Sequence, residues 1–151
     1  MLCVIRLRGS VKIKREIKDT LRMLRLYRKN TCTLINETPQ NVGMIKKVKD
    51  YVTWGTISED MLTKLIKKRG RTLGNKRLDE KFLKENKLKN FEELSKKILE
   101  GKIKLKESPI KPYFRLSPPS KGFKGSIKQH YPKGALGNRG DKINDLLKRM
   151  I

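Results

Sequence analysis

Residues 31–54 read TCTLINETPQNVGMIKKVKDYVTW and contain, in order, the signals of a strand, a helix and a second strand. Residues 31–35 are short, apolar and rich in β-branched side chains, which favours a strand. Thr38 and Pro39 form a strong helix start, because a capping hydroxyl is followed by proline at the first helical position. Residues 51–54 are again typical of a strand. This stretch therefore predicts β-α-β.

A strand and a helix precede this stretch. Residues 2–7, LCVIRL, alternate so that Cys3, Ile5 and Leu7 share one face and Leu2 and Val4 the other. A helix is predicted over residues 14–28, where one apolar stripe consists of Ile13, Ile17, Leu21 and Leu24. Beside it runs a cationic stripe of Arg15, Lys18, Arg22 and Arg25. Residues 1–58 thus predict a β-α-β-α-β core with a basic helix surface.

The rest of the chain divides into two further regions by composition. Residues 59–107 mix charges of both signs and predict a helical insert, with a helix after Ser58, a short one at 79–85, one after Asn90, and an edge strand at 102–106. Residues 108–151 form a basic extension. Its stretch 108–140 has no acidic residue, holds five of the six prolines and five glycines, and so has little to bury by itself. We expect this stretch to be mobile until it meets a polyanion, and the closing helix to dock through Ile143, Leu146, Leu147 and Met150.

The overall charge points to a class of partner. The chain has 151 residues and a formal charge of +24, spread over all three regions, and 36% of its residues are hydrophobic. A field of this size attracts polyanions, so nucleic acid is the leading partner. No apolar run is long enough to span a membrane, and charge at Arg6 argues against a signal peptide. Cys3 and Cys32 are expected to be buried free thiols in a reducing cytosol.

Catalytic chemistry has few candidates in this sequence. His130 is the only histidine, and no acidic residue lies near it in the chain. The glycine-rich residues 134–140 precede a helix but lack the Gly-Lys-Ser/Thr of a nucleotide-hydrolysing loop, so a backbone contact to phosphate and a flexible turn both remain open. We therefore expect no catalytic residue, no metal, no cofactor and no small-molecule substrate.

Basic and aromatic residues carry the binding hypothesis, because cations neutralise phosphates and rings stack on unpaired bases. The candidate RNA-binding residues are Arg6, Arg8, Lys12, Lys14, Arg15, Lys18, Arg22, Arg25, Lys46, Lys47, Lys49, Arg69, Arg71, Arg115, Lys121, Phe123, Lys124, Lys128, His130, Lys133 and Arg139. For Tyr51 and Trp54, packing on the sheet is favoured over RNA contact.

Several segments resemble a known family. Residues 2–10 (LCVIRLRGS), 19–26 (DTLRMLRL), 37–39 (ETP) and 43–55 (GMIKKVKDYVTWG) are similar to the large-subunit ribosomal protein family called thirty in bacteria. Its longer archaeal and eukaryotic form, called seven in eukaryotes, is resembled by residues 69–71, 114–116, 121–125 and 134–150. Eukaryotic members have a long basic N-terminal extension, whereas this chain enters its first strand at residue 2, so it resembles the archaeal form.

The resemblance implies an α+β protein of ferredoxin-like type, with a small β-α-β-α-β core, an antiparallel three-stranded sheet in the order 3-1-2 and two helices on one face. It also implies a non-enzymatic role in the cytoplasm on the large ribosomal subunit near the central protuberance, with 23S rRNA, 5S rRNA and neighbouring ribosomal proteins as partners. A free RNA chaperone, a translational repressor and an RNA-modifying enzyme are the alternatives.

Overall fold

The computed structural model describes residues 1–78, 82, 90–101, 103 and 108–151. In these residues the elements follow one another as β1 (Leu2–Arg6), α1 (Arg15–Met23), β2 (Thr31–Ile35), α2 (Pro39–Lys47), β3 (Val52–Thr56), α3 (Glu59–Arg69), α4 (Phe91–Leu99), β4 (Tyr113–Arg115), β5 (Ser126–His130), β6 (Gly134–Asn138), a 3₁₀ turn (Gly140–Lys142) and α5 (Ile143–Met150). The β-α-β-α-β core predicted for residues 1–58 is confirmed. The predicted short helix at 79–85 and edge strand at 102–106 lie, apart from Phe82 and Ile103, outside the described residues.

β1 lies at the centre of the sheet, between β2 and β3 and antiparallel to both, with Val4 opposite Thr33 on one side and Trp54 on the other. This arrangement confirms the expected antiparallel order 3-1-2. The sheet is larger than predicted, however, because three more strands extend it to the mixed order β4-β2-β1-β3-β6-β5. β4 adds antiparallel to β2, β6 adds parallel to β3, and β5 adds to β6 with an irregular register.

The alternation of β1 sends its side chains into two hydrophobic cores, one on each face of the sheet. Leu2 and Val4 pack with Leu21 of α1 and Ile45 of α2. On the opposite face, a larger core contains Cys3, Ile5, Leu7 and apolar residues of α3, α4 and α5. The structure is therefore three layers deep, with α1 and α2 on one side and the insert and closing helices on the other. All three compositional regions contribute to the larger core.

Residues 108–140 bury several side chains against the rest of the chain, and their expected mobility before they meet a polyanion stays a prediction. Six of their side chains are buried: Ile110, Phe114, Leu116, Pro119, Ala135 and Leu136. β4 and β6 bury apolar side chains on a core to which the rest of the chain contributes, whereas β5 is exposed along its whole length. The docking of the closing helix is confirmed, since Ile143, Leu146, Leu147 and Met150 are all buried.

Two predicted element boundaries also change. α1 is shorter than the predicted 14–28, because the chain turns after Leu24 and Arg25 adopts a left-handed backbone conformation (φ 59°). β3 begins one residue later than predicted and continues to Thr56. The predicted start of α2 is confirmed, since Thr38 Oγ1 accepts a hydrogen bond from the Asn41 amide at 3.3 Å.

Gly55 is the position where β3 and the closing segment come closest. A side chain there would collide with the Gly140 carbonyl oxygen and would lie 2.9 Å from Ile143 Cβ. Since real Cβ atoms do not approach other atoms so closely, only glycine fits this position of β3. This contact fixes the C-terminal extension against the central sheet.

Candidate nucleic-acid interface

The outer surface of α1 and α2 carries the largest group of predicted site residues. Eight predicted cations in and around these helices are exposed: Lys12, Lys14, Arg15, Lys18, Arg22, Lys46, Lys47 and Lys49. Two of them have acidic neighbours, with Lys47 Nζ 3.6 Å from Glu16 and Arg15 Nε 3.9 Å from Asp19. Exposed ion pairs of this kind contribute little. These cations therefore remain available to an external polyanion.

Arg6, which was predicted as an RNA-binding residue, does not belong to this surface. Only 2% of Arg6 is exposed. Its guanidinium donates to the carbonyls of Arg8, Leu26 and Tyr27 at 2.8, 2.8 and 3.1 Å, and to Ser10 Oγ at 2.7 Å. Burial lowers the pKa of Arg6, with a smaller opposing effect from Tyr51. Arg6 therefore connects the loop after β1 to the loop after α1 inside the protein.

Arg69 and Arg139 are also engaged within the chain. Arg69 Nη2 donates to Ser117 Oγ at 2.5 Å and to the Ile151 carbonyl at 3.0 Å, which joins the end of α3 to the C-terminus. Arg139 donates to Thr53 Oγ1 at 3.1 Å and to the Ala135 carbonyl at 3.0 Å, and its guanidinium lies 5.0 Å from the Tyr131 ring centre. Burial lowers the pKa of Arg139. Both residues are half-buried, so their main contacts are structural.

Arg8 and His130 both contact Asp50, which lies in the connection between α2 and β3. Arg8 Nη1 donates to the Asp50 carbonyl at 3.1 Å and lies over the Tyr51 ring at 5.0 Å. His130 Nε2 lies 2.9 Å from Asp50 Oδ1. Sequence reasoning missed this acidic partner, because 80 positions separate the two residues and only the sheet brings them together. The side chains of His130 and Asp50 are both substantially exposed.

The extension presents a second set of cations around β5. Lys121, Lys124, Lys128 and Lys133 are all exposed. Phe123, predicted to stack on RNA, is half-buried and packs against the larger core. The turn at Lys121 and Gly122 uses left-handed backbone conformations at both residues (φ 61° and 69°). This part of the extension therefore has a cationic surface, with Phe123 as its attachment to the core.

The remaining predicted cations lie near the opposite edge of the sheet. Arg115 is exposed on the edge strand β4. Arg71 is half-buried, and its backbone pairs with that of Arg77 in an isolated antiparallel β-bridge. Arg25 is half-buried in the loop after α1. That loop also contains Arg28 and Lys29, which are exposed and which sequence reasoning missed, although the tripeptide Tyr27-Arg28-Lys29 carried the signal.

The exposed cations of these surfaces are suited to contact with a polyanion. Among the residues that the structure describes, no group of three or more His, Cys, Asp or Glu side chains is placed to hold a metal ion. No helix in this part of the chain is long and apolar enough to cross a membrane. Exposed lysines and arginines on both α1–α2 and the extension are suited to phosphate contacts, which require charge more than a shaped pocket.

Comparison with known proteins agrees with this chemistry. Residues 2–52 match the family model described as ribosomal protein L30p/L7e. The chain is 50% identical to the large ribosomal subunit protein uL30 of Nanoarchaeum equitans, over 100% of this chain and 99% of the relative. It is 53% identical to that of Methanococcus maripaludis (98% and 97%) and 47% identical to that of Archaeoglobus fulgidus (99% of each chain). The chain belongs to the ribosomal protein L30p/L7e family.

Proposed function

We propose that the chain is a structural constituent of the large ribosomal subunit, where it binds 23S rRNA, also contacts 5S rRNA and packs against neighbouring ribosomal proteins. The L30p/L7e family is non-enzymatic. The observation that carries the proposal is the full-length similarity to proteins named as large-subunit components, combined with two exposed cationic surfaces on one small fold. In this role the protein is cytoplasmic and ribosome-bound.

Binding in this proposal is electrostatic and distributed over both surfaces. Each lysine or arginine that neutralises a phosphate releases a condensed counterion, so affinity depends on how many phosphates are covered. The exposed cations of α1 and α2 lie in the helical layer, and those around β5 lie at the far edge of the sheet. An rRNA fold that reaches both regions would gain from many weak contacts.

The proposal is tested by the salt dependence of binding to large-subunit rRNA. If roughly six phosphates are neutralised, the affinity should fall by orders of magnitude between low and moderate salt. Lys18→Ala should reduce affinity only slightly, whereas a combined Lys18→Ala, Arg22→Ala and Lys46→Ala variant should flatten the slope of log affinity against log salt. Glu37→Ala, which removes a charge of the opposite sign, is the control and should not flatten it. A nearly flat response in the unmodified chain would contradict the proposal.

A further inference from the structure

Tyr27 is an exposed aromatic residue for which the fold itself has no evident use. It lies in the loop between α1 and β2, and 50% of its surface is exposed. Most large apolar or aromatic side chains of the described residues are buried or half-buried, and exposed rings are the residues that stack on bases in proteins that bind single-stranded RNA. What surrounds Tyr27 decides whether it has this role.

The backbone around Tyr27 is fixed by hydrogen bonds from the buried Arg6. The Arg6 guanidinium donates to the carbonyls of Leu26 and Tyr27, at 2.8 and 3.1 Å. The Arg6 carbonyl in turn accepts from the Asn30 amide at 2.7 Å. Left-handed backbone conformations at Arg25 and Asn30 set the two ends of the loop. A buried arginine thus fixes the backbone that carries the exposed ring, which reduces the conformational entropy lost on binding.

A second ring supports Tyr27 from the side. The rings of Tyr27 and Tyr113 meet edge to face, with centroids 5.7 Å apart and an angle of 78° between their planes. Tyr113 lies on the edge strand β4, where Phe114 points into the larger core, so Tyr113 and Arg115 point to the opposite face. This contact holds the Tyr27 ring in place while half of its surface stays exposed.

The residues around the Tyr27–Tyr113 ring pair are cationic. Arg28 and Lys29 follow Tyr27 directly and are exposed, and Arg115 is exposed on the face of β4 that carries Tyr113. The two chain segments that build this place, 20–36 and 108–140, contain no acidic residue. A ring flanked by cations suits a single strand, because the ring takes the face of a base while the cations take the phosphates on either side.

Resting on the proposed function, we propose that Tyr27, supported by Tyr113 and flanked by Arg28, Lys29 and Arg115, is a stacking platform for an unpaired base of RNA. The site is distinct from the lysines of α1, α2 and β5, which bind phosphate without regard to pairing. It selects single-stranded or bulged RNA over a regular duplex, because bases within a duplex are stacked on one another and do not present their faces.

The test uses the full chain and a short single-stranded RNA oligonucleotide containing 2-aminopurine, with a duplex of the same length for comparison. We expect the unmodified protein and Tyr27→Phe to change the 2-aminopurine fluorescence equally. Tyr27→Leu, which keeps an apolar side chain but removes the ring, should lose about tenfold in affinity for the single strand. Its affinity for the duplex should stay the same, and so should its salt slope. Arg28→Gln is the matched control and should lower the slope instead.

Two results would overturn the stacking platform. One is single-strand affinity in Tyr27→Leu equal to that of the unmodified chain, in which case the ring serves another partner, such as a protein surface. The other is an equal loss of affinity for single strand and duplex in a Tyr27→Leu variant with an unchanged urea denaturation midpoint, because a stacking ring contributes to single-strand binding alone. Because these results compare variants that still bind rRNA, they are distinguishable from failure of the proposed function, in which the unmodified chain does not bind rRNA.

Discussion

Arg6 and Arg8 differ by two positions in the sequence and yet have separate roles. Arg6 lies on the face of β1 that Leu2 and Val4 turn toward α1 and α2, so its guanidinium lies inside the protein, where loop carbonyls accept its hydrogen bonds. Arg8 follows the strand and lies over Tyr51 near the surface. The alternation that identified the strand also contained the signal for a structural Arg6, but a charged side chain was taken as evidence of exposure.

Replacing Arg6 should therefore lower stability far more than replacing a surface cation. Arg6→Ala leaves the carbonyls of Leu26 and Tyr27 without their donor, and hydrogen bonds to charged groups contribute about 1.5–3 kcal/mol each. We expect a loss of about 3 kcal/mol in the free energy of unfolding, measured by urea denaturation. Lys18→Ala, on the exposed face of α1, is the control and should change it by less than about 0.5 kcal/mol. Equal effects of the two substitutions would show that Arg6 is not structural.

The two cysteines make a second residue-scale prediction. Cys3 and Cys32 are buried free thiols, as predicted, with their Sγ atoms 3.2 Å apart. The hydrogen bond with Cys3 and then burial raise the pKa of the Cys32 thiol. The folded chain thus keeps this proton at a pH where the unfolded chain releases it, so stability is lost as pH rises above the unfolded pKa.

The free energy of unfolding should be constant near neutral pH and should fall above the unfolded thiol pKa, by up to about 1.4 kcal/mol per pH unit. The range from pH 7 to about pH 9.5 covers both parts. Urea denaturation across this range measures it. In Cys32→Ala the part of the slope that comes from Cys32 should disappear, although the variant is less stable at every pH. An unchanged slope in Cys32→Ala would mean that the thiol is not the source.

At the scale of elements, local patterns were sufficient for some parts of the chain and insufficient for others. The strands and helices of residues 1–58 were predictable, because their apolar spacing is repeated within each element and Thr38 and Pro39 mark a helix start. β4, β5 and β6 were missed because all three are short and β6 contains two glycines. In addition, β4 and β6 bury Phe114 and Leu136 only against distant parts of the chain. The partnership of His130 with Asp50 was hidden for the same reason.

The structure also narrows the expectation of mobility in residues 108–140 to the segment around β5. Every residue of β5 is exposed, whereas β6 is buried except at Asn138. Amide hydrogen exchange of the free protein should therefore be fast at 124–130 and slow at 134–137, with β2 as the protected reference. Adding large-subunit rRNA should slow exchange at 124–130, because phosphate contacts by Lys124 and Lys128 order the segment. Strong protection of 124–130 without RNA would contradict this ordering on binding.

At the scale of the whole molecule, the charge of +24 opposes folding through repulsion between like charges and at the same time attracts a polyanion. Two hydrophobic cores on a six-stranded sheet hold together a chain whose like charges repel one another. Predicting fold class and partner class from sequence was possible because both depend on totals, such as net charge and apolar periodicity. Assigning individual site residues was not, since Arg69 and Arg139 bond within the chain to Ser117 and Thr53, which are distant in the sequence.

Stable incorporation of the chain into the large subunit is tested most directly by sucrose-gradient fractionation of cells that make the protein. Large subunits are washed at high salt, and the chain is then quantified against 23S rRNA by mass spectrometry. We expect the protein to remain with the large subunits in the same molar amount as 23S rRNA. A mainly soluble pool, with only traces on washed subunits, would contradict the account and would instead indicate a free RNA chaperone or a translational repressor.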